Sequence, residues 1–174
     1  MPLTAAETQL AADVAGREIT ARNLRAEGPL YFVDVEMLRD KNAPERRLAR
    51  VTHYRYAGAL TITTLVDLSA QRVVDQRTEA NAITPLSAEE WEEVRRIALA
   101  DPRVQEIIRP YPNVVLEPML LQTRSREDPI FGRRVVDLLF RVGRDYLSGP
   151  QVRVDLNDRS VTAGTRTSAA PHHM

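Results

Sequence analysis

The sequence has no cysteine and only one lysine, Lys41, among its 174 residues. Without a thiol there is no disulfide framework, no thiolate metal site and no thiol nucleophile, and cysteine usage does not indicate the redox compartment. The other 23 basic residues are arginine, a usage typical of a GC-rich bacterial genome.

A net charge and a long apolar run are also missing. The 24 basic residues balance 24 acidic ones, so the chain has no global field to hold a phosphate backbone, and we expect no nucleic-acid partner. No apolar run approaches the roughly 20 residues that span a bilayer, so we expect no membrane insertion. Residues 1–4 lead directly into a helix signal, which predicts a cytoplasmic protein unless a leader was removed.

The sequence does contain an internal repeat. A helix start at Thr4 and Glu7 recurs 83 residues later at Ser87 and Glu90, and a strand end at Asp67 recurs 88 residues later at Asp155. Repetition at a nearly fixed period indicates two copies of one structural unit. We predict an α+β fold with two tandem domains, residues 3–80 and 84–162, followed by a disordered tail, residues 163–174.

Each copy is predicted to be one helix on an antiparallel sheet of three to four strands. In the first copy, Thr4 and Glu7 form a capping box, and Tyr31, Val33 and Val35 alternate along the first strand. The first-copy strands are residues 30–38, 47–56, 60–68 and a return through 73–74. In the second copy, Ser87 and Glu90 cap the helix, and Asp101 and Pro102 end it and start a short further turn that carries Val104, Ile107 and Ile108. The second-copy strands are residues 114–121, 134–142, 152–156 and a short one at 161.

Several motifs occur in an order that resembles one known family. They are Arg46-Arg47-Leu48-Ala49-Arg50-Val51, Val66-Asp67-Leu68, Arg72-Val73-Val74, Thr84-Pro85-Leu86-Ser87 with Glu90, and Ala100-Asp101-Pro102-Arg103-Val104. Over residues 3–162 the chain resembles the N2 and N3 domains of copper amine oxidases, which precede the catalytic domain. This resemblance implies a cystatin-like fold for each half, and the chain ends where the catalytic β-sandwich would begin.

The catalytic residues of that family cannot be transferred to this sequence. Its enzymes form a quinone from a tyrosine that follows asparagine, and none of the five asparagines here precedes a tyrosine. They bind copper through three histidines, whereas this chain has His53 in a strand and adjacent His172 and His173 in the tail. We therefore expect no cofactor, no bound copper or zinc, and no amine oxidation.

Several polar residues could form a functional site, but each also has a simpler structural explanation. His53 with Asp67 could form an acid–base pair, but a strand histidine is more often a satisfied sheet residue. The acidic group Glu89, Glu90, Glu92 and Glu93 is read as a solvated first turn that complements the helix dipole. Asp67 and Asp155 are expected to accept hydrogen bonds from turn amides, and the pairs at 46–47, 95–96 and 133–134 to line surfaces.

These observations favour a non-catalytic protein-binding or accessory module whose partner is another protein or a second copy. Unpaired sheet edges and faces are the expected contact surface, with Tyr54, Tyr56 and Arg55 as candidate contact residues. Two alternatives remain open. One is a small-ligand-binding protein or enzyme with a pocket between helix and sheet. The other is a cystatin-type peptidase inhibitor, because residues 71–75 echo the Gln-x-Val-x-Gly loop, with Asp75 in place of glycine.

Overall fold

The computed structural model describes residues 2–25 and 28–165 and has an α+β fold. The chain divides into two compact units, Met1–Ser87 and Ala88–Met174, each with its own helices and its own antiparallel sheet. Within the described residues, no helix combines the length and apolar character needed to cross a membrane.

The first unit opens with helix α1, Ala5–Ala21, whose start is the predicted capping box. The Glu7 backbone N–H donates to Thr4 Oγ1 (3.0 Å), and the Thr4 N–H donates to Glu7 Oε1 (3.0 Å). This exchange satisfies two amides that the helix itself leaves free. The helix continues through Gly16, and its apolar face of Ala11, Val14, Ala15 and Ile19 is buried.

Four antiparallel strands form the first sheet, in the order of the sequence. They are β1 (Leu30–Arg39), β2 (Arg47–Arg55), β3 (Leu60–Asp67) and β4 (Arg72–Ala80). Helix α1 packs on one face of this sheet, where Ala11 and Val14 join Val51 and Val66 in a solvent-free cluster. The predicted arrangement of one helix on an antiparallel sheet is therefore confirmed for this unit.

The alternation predicted along β1 is wrong at its start. Phe32 pairs with His53 and Asp34 pairs with Thr52, so Val33 is an extra residue in a β-bulge. A bulge moves the following side chains to the opposite face of the sheet. Phe32 and Val35 consequently both pack on the helix-side core, and Tyr31 lies on the other face, paired with Tyr54.

The second unit has two helices: the predicted main helix, and a second helix where a short turn was predicted after Asp101. Helix α2 is Ala88–Leu99 and helix α3 is Pro102–Ile108. Asp101 caps α3 by accepting a hydrogen bond from the Arg103 N–H (2.8 Å), and Pro102 occupies the first turn, where its missing N–H costs nothing. Val94, Ala98 and Val104 form the buried side of the two helices.

The second sheet has five strands, more than predicted. They are β5 (Val115–Leu121), β6 (Val135–Val142), β7 (Asp145–Tyr146), β8 (Pro150–Asp155) and β9 (Ser160–Thr165), in the order β5-β6-β8-β9, with β7 paired to β6. The prediction of a disordered tail from residue 163 is wrong for its first three residues, because Ala163 to Thr165 pair with β8. The rest of the predicted tail, residues 166–174, lies outside the described part of the chain.

Both units hold their helix to their sheet with the same ion pair. In the first unit Arg47 donates to both carboxylate oxygens of Glu7 (2.7 and 2.8 Å), and in the second Arg134 does the same to Glu90 (3.0 and 2.7 Å). The two pairs differ in burial: Glu90 is 0% and Arg134 2% exposed, whereas the side chains of Glu7 and Arg47 are 23% and 32% exposed.

The burial of Glu90 and Arg134 corrects two predictions. Glu90 does not belong to a solvated acidic face, because it turns inward to meet the guanidinium of Arg134. Its neighbours Glu89 and Glu92 are exposed as predicted. Arg134 does not line a surface, since it precedes β6 on the side of the sheet that faces α2.

Candidate functional site

The predicted contact residues Tyr54, Tyr56 and Arg55 do not lie at a sheet edge. Strand β2 pairs with β1 on one side and β3 on the other. Tyr54 is 3% exposed, and its ring meets the ring of Tyr56 edge-on at a centroid distance of 5.4 Å. Arg55 donates to the backbone carbonyls of Leu24 and Ala57 (2.9 Å each). Arg47, Arg50 and Arg55 also lie on this central strand, so they guard no sheet edge. Tyr54 is therefore a core residue, and the contact role of Tyr56 and Arg55 stays a prediction.

His53 and Asp67 are not brought together. His53 lies on the helix side of the sheet opposite Ile62, whereas Asp67 pairs with Leu48 at the other end of β2 and faces away from α1. Asp67 accepts hydrogen bonds from the Ala70 N–H (3.0 Å) and from Arg46 Nε (3.2 Å). The turn amide is the largest cause of the lowered Asp67 pKa, so the turn role predicted for this residue is confirmed.

Asp155 repeats that role in the second unit. Its Oδ1 accepts from the N–H groups of Asn157 (2.8 Å) and Asp158 (3.1 Å), and Arg133 donates to its Oδ2 (2.9 Å). Each of these aspartates thus closes a strand-to-strand turn and anchors the first arginine of an Arg-Arg pair.

His53 is buried without a hydrogen-bond partner. It is 6% exposed, its Nδ1 has no partner among the described residues, and the edge of its ring meets Phe32 at a centroid distance of 5.7 Å. Burial, with a smaller contribution from the charge of Arg25, lowers the pKa of His53 to about 4. The imidazole is therefore neutral at pH 7, and the expectation of a satisfied sheet histidine is wrong.

The segment that echoes the inhibitor loop is mostly strand. Gln71 forms the turn with a φ of 55°, but residues 72–75 lie in β4, where Asp75 pairs with Leu65. A paired strand cannot enter a protease cleft as a free loop does. This geometry argues against the inhibitor alternative.

The second sheet has an outer face, which we define as the side away from α2 and α3. Its side chains include Val115, Glu117 and Met119 of β5, Asp137, Leu139 and Arg141 of β6, Tyr146 of β7, and Gln151 and Arg153 of β8. Three of these are large apolar or aromatic residues exposed to solvent: Tyr146 (52%), Met119 (44%) and Val115 (41%). Around Met119 the face forms a recess of about 420 Å³ that also includes Leu139, Pro150 and Thr162.

Charges on the outer face are already paired with each other. Glu117 accepts from Arg141 Nε (2.8 Å) and from the Tyr146 hydroxyl (2.7 Å), and Arg153 donates to both oxygens of Asp137 (2.7 and 3.2 Å). The Arg141 hydrogen bond is the largest cause of the lowered Glu117 pKa, and the bond to Glu117 raises the pKa of Tyr146. The face therefore combines exposed apolar groups with locally neutralised charges.

Exposed Tyr and Met with Arg beside them are the residue types that enrich protein interfaces, and internally paired charges reduce the cost of covering a surface. Sequence reasoning missed this face because β5 and β6 alternate apolar residues on both sides. The available signals were opposite charges on neighbouring strands, Glu117 with Arg141 and Asp137 with Arg153. Within residues 2–25 and 28–165, no three His, Asp or Glu side chains are grouped so that they could hold a metal ion.

The fold and the outer face define an α+β protein of two antiparallel sheets, each carrying its helices on one side. The structure is similar to that of a copper-containing benzylamine oxidase from Hansenula polymorpha, with a TM-score of 0.63 and 20% sequence identity. The match covers 92% of this chain but 29% of the oxidase chain, so the likeness is one of fold over part of a larger protein. No family model matches the sequence. No curated protein matches it either.

Proposed function

We propose that this protein is a non-catalytic accessory module, built from two cystatin-like units in tandem, that works by protein contact through the outer face of its second sheet. The observation that carries the proposal is the exposure of Val115, Met119 and Tyr146 on one face whose charges are already paired. The recurrence of the Glu–Arg ion pair and of the Asp turn in both units supports the tandem arrangement.

The fold likeness to part of a copper amine oxidase supports the accessory role, because the shared portion is 29% of that enzyme chain. A second copy of this chain is the first partner to test. The outer face pairs Glu117 with Arg141 and Asp137 with Arg153, so two copies brought together there meet with no net charge repulsion. Two sheets packed face to face would place Met119 and Tyr146 in a shared apolar layer.

The test is sedimentation velocity across a concentration series with the wild-type chain and Met119→Glu. We expect the wild type to self-associate and the variant to shift toward monomer, because an added carboxylate on the outer face must be desolvated on contact. Val74→Glu is the matched control: Val74 is equally exposed, at 43%, but lies on β4 of the other sheet. A monomeric wild type, or equal effects of both substitutions, would contradict contact between copies through this face.

A further inference from the structure

A cavity of about 630 Å³ lies between the helices of the second unit and strand β5. The helices approach the sheet most closely on its other side, where α2 contacts β8 and β9 and α3 contacts β9. Strand β5 is the opposite edge of this sheet, with β6 between it and β8. The helices therefore leave the β5 edge incompletely covered, and the cavity is the space between α2 and that edge. Of the exposed apolar residues of the outer face only Val115 borders it, so its role does not rest on the proposed function.

The walls of the cavity are mainly apolar and aromatic. Trp91, Arg95 and Leu99 line it from α2, and because they are four residues apart they lie along one side of that helix. The other walls are the end of α3, the loop after it and the start of β5, with Ile108, Tyr111, Pro112 and Leu116. Small-molecule sites in proteins typically have this size and this apolar lining, with a few polar groups that orient the ligand.

The apolar walls are less enclosed than the rest of this core. Leu116 of β5 is half-buried, whereas Phe140, its partner in β6, is 1% exposed. Trp91 and Leu99 are half-buried as well, while Val94 on the same helix is fully buried. A molecule that covered these residues would remove apolar surface from water, which is the main favourable term in binding to such a cavity.

Two aromatic side chains of the cavity wall have a polar group available to a ligand. The Trp91 indole N–H and the Tyr111 hydroxyl form no hydrogen bond with any described residue, and solvent reaches both. Each ring therefore combines an apolar face with a polar edge, which suits a ligand that is itself partly apolar and partly polar.

Two arginines at the mouth give the cavity its charge. Arg95 and Arg109 are the charged lining residues within the described chain, and their side chains are 44% and 69% exposed. Each meets a glutamate three residues earlier through its Nη1, with N–O distances of 3.4 Å to Glu92 and 2.6 Å to Glu106. Exposed pairs of this kind are weak, so they do not prevent the arginines from binding an anion.

The carboxylate-binding side of both arginines has no partner among the described residues. Arg47 and Arg134 bind their glutamates through Nε and Nη2, the parallel N–H pair that matches the two oxygens of a carboxylate. In Arg95 and Arg109 these same two nitrogens form no hydrogen bond within the described part of the chain. A carboxylate attached to an apolar body can use both these donors and the apolar walls, whereas a hydrated inorganic anion can use the donors alone.

We propose that this cavity binds a small organic carboxylate with a flat aromatic body. The carboxylate accepts from the Nε–H and Nη2–H groups of Arg95 at the mouth. The aromatic body lies against Trp91 and Tyr111, between α2 and Leu116, where ring-to-ring contact adds to the burial of apolar surface. Arg95 is placed for this role because its guanidinium lies over the Trp91 ring, 6.0 Å from the ring centroid.

The experiment is an NMR titration of the full ¹⁵N-labelled chain with 2-naphthoate as the probe, at about pH 6.5, where a carboxylate is ionised. Trp91 is the only tryptophan of the chain, so its indole N–H gives one identifiable signal in the cavity wall. We expect saturable shifts of this signal and of the Arg95 Nε–H. 2-Naphthylmethanol, which keeps the rings but lacks the charge, should bind about tenfold more weakly. Octanoate, which keeps the charge but has a flexible chain in place of the rings, should also bind more weakly.

Variants then separate this site from a general effect of surface charge. Arg95→Gln should weaken 2-naphthoate binding about tenfold or more, because it removes the charge-assisted hydrogen bonds. Arg96→Gln is the matched control and should leave binding unchanged. Arg96 is also exposed on α2 and also pairs with a glutamate three residues earlier, but it does not line the cavity. The Trp91 signal of each variant without ligand shows whether the unit is folded.

The proposal is overturned by a non-saturable response of the wild type or by equal losses in the two variants. Equal binding of 2-naphthoate and 2-naphthylmethanol would show that the carboxylate is not recognised. Octanoate binding more tightly than 2-naphthoate would reject the aromatic body. Either of these results would also overturn the assignment of the ligand class.

Discussion

Glu90 and Arg134 show how burial changes the contribution of an ion pair to stability. The equivalent pair in the first unit, Glu7 and Arg47, is partly solvated, and the largest cause of the lowered Glu7 pKa, about 2, is the Arg47 hydrogen bond. In the second unit the same bidentate geometry is enclosed. Both oxygens of Glu90 accept from Arg134, which is the condition under which a charge pair can be buried.

Breaking the enclosed pair should therefore be costly. We expect Glu90→Gln to lower the free energy of unfolding by about 3 kcal/mol or more, because it leaves the guanidinium of Arg134 buried without a countercharge. Urea unfolding measures the loss. Glu89→Gln, at the exposed neighbouring position of α2, is the control and should change little. A double variant, Glu90→Leu with Arg134→Met, should recover much of the stability, and a failure to do so would argue against an unpaired charge as the cause.

His53 makes the free energy of unfolding of the first unit depend on pH. Its pKa is about 4 in the folded chain and near 6.5 when unfolded, so the unfolded state binds the proton first. Stability is therefore lost as the pH falls from about 6.5 toward 4. At pH 5 the loss relative to pH 7.5 is about 2 kcal/mol. Glu7 and Asp101, whose pKa values are lowered to about 2, lose their contribution to stability mainly below about pH 4.5, so they add little to the change between pH 7.5 and pH 5.

The check is urea unfolding of the wild type and His53→Phe at pH 7.5 and pH 5. Phenylalanine keeps an aromatic ring beside Phe32 and has no proton to bind, so the variant should lack most of the acid-dependent loss. The charged residues that line the same recess as His53, namely Asp13, Arg17 and Arg25, are unchanged in the variant. An equal loss of stability in both proteins would assign the pH dependence to other groups.

The elements were mostly predictable because they depend on local signals. The capping box at Thr4, the proline at the start of α3 and the alternation of β3 are short-range features, and each fixes its own backbone. The bulge at Val33 was not predictable, since it depends on how β1 pairs with β2. The burial of Glu90 was missed for a related reason: its partner, Arg134, is 44 residues away in the sequence.

The effect of a glycine-to-alanine substitution on stability depends on the local backbone conformation, and two glycines of the first unit allow a test. Gly16 lies inside α1, and a Cβ there would meet only the end of the Arg25 side chain at 3.4 Å. Gly58 has a φ of +77°, in the left-handed region that disfavours a Cβ. We expect Gly16→Ala to raise the unfolding free energy by about 0.5–1 kcal/mol and Gly58→Ala to lower it by about 1 kcal/mol. Urea unfolding of the two variants checks the opposite signs, and equal signs would contradict the backbone explanation.

On the scale of the molecule, the sequence motifs predicted the α+β fold but not the proposed contact surface. The Glu–Arg ion pair and the turn aspartate recur in both units, because each unit connects its helix to its sheet in the same way. The outer face of the second sheet has no counterpart in those motifs. Its character depends on which apolar side chains stay exposed, such as Met119 and Tyr146, and that follows from tertiary packing rather than from residue type.

The core of α1 on β2 and β3 and the hydrogen bond between Thr61 and Thr84 lie within the first unit. A unit of 87 residues is large enough to bury a core of its own, although with little stability to spare.

We expect the fragment of residues 1–87 to fold when produced alone. His53 is its only histidine, so its NMR titration reports directly on the core. A pKa near 4 in buffer and near 6.5 in urea concentrated enough to unfold the fragment would show that the core forms around His53. Titration near 6.5 in buffer would show instead that this unit needs the rest of the chain to fold.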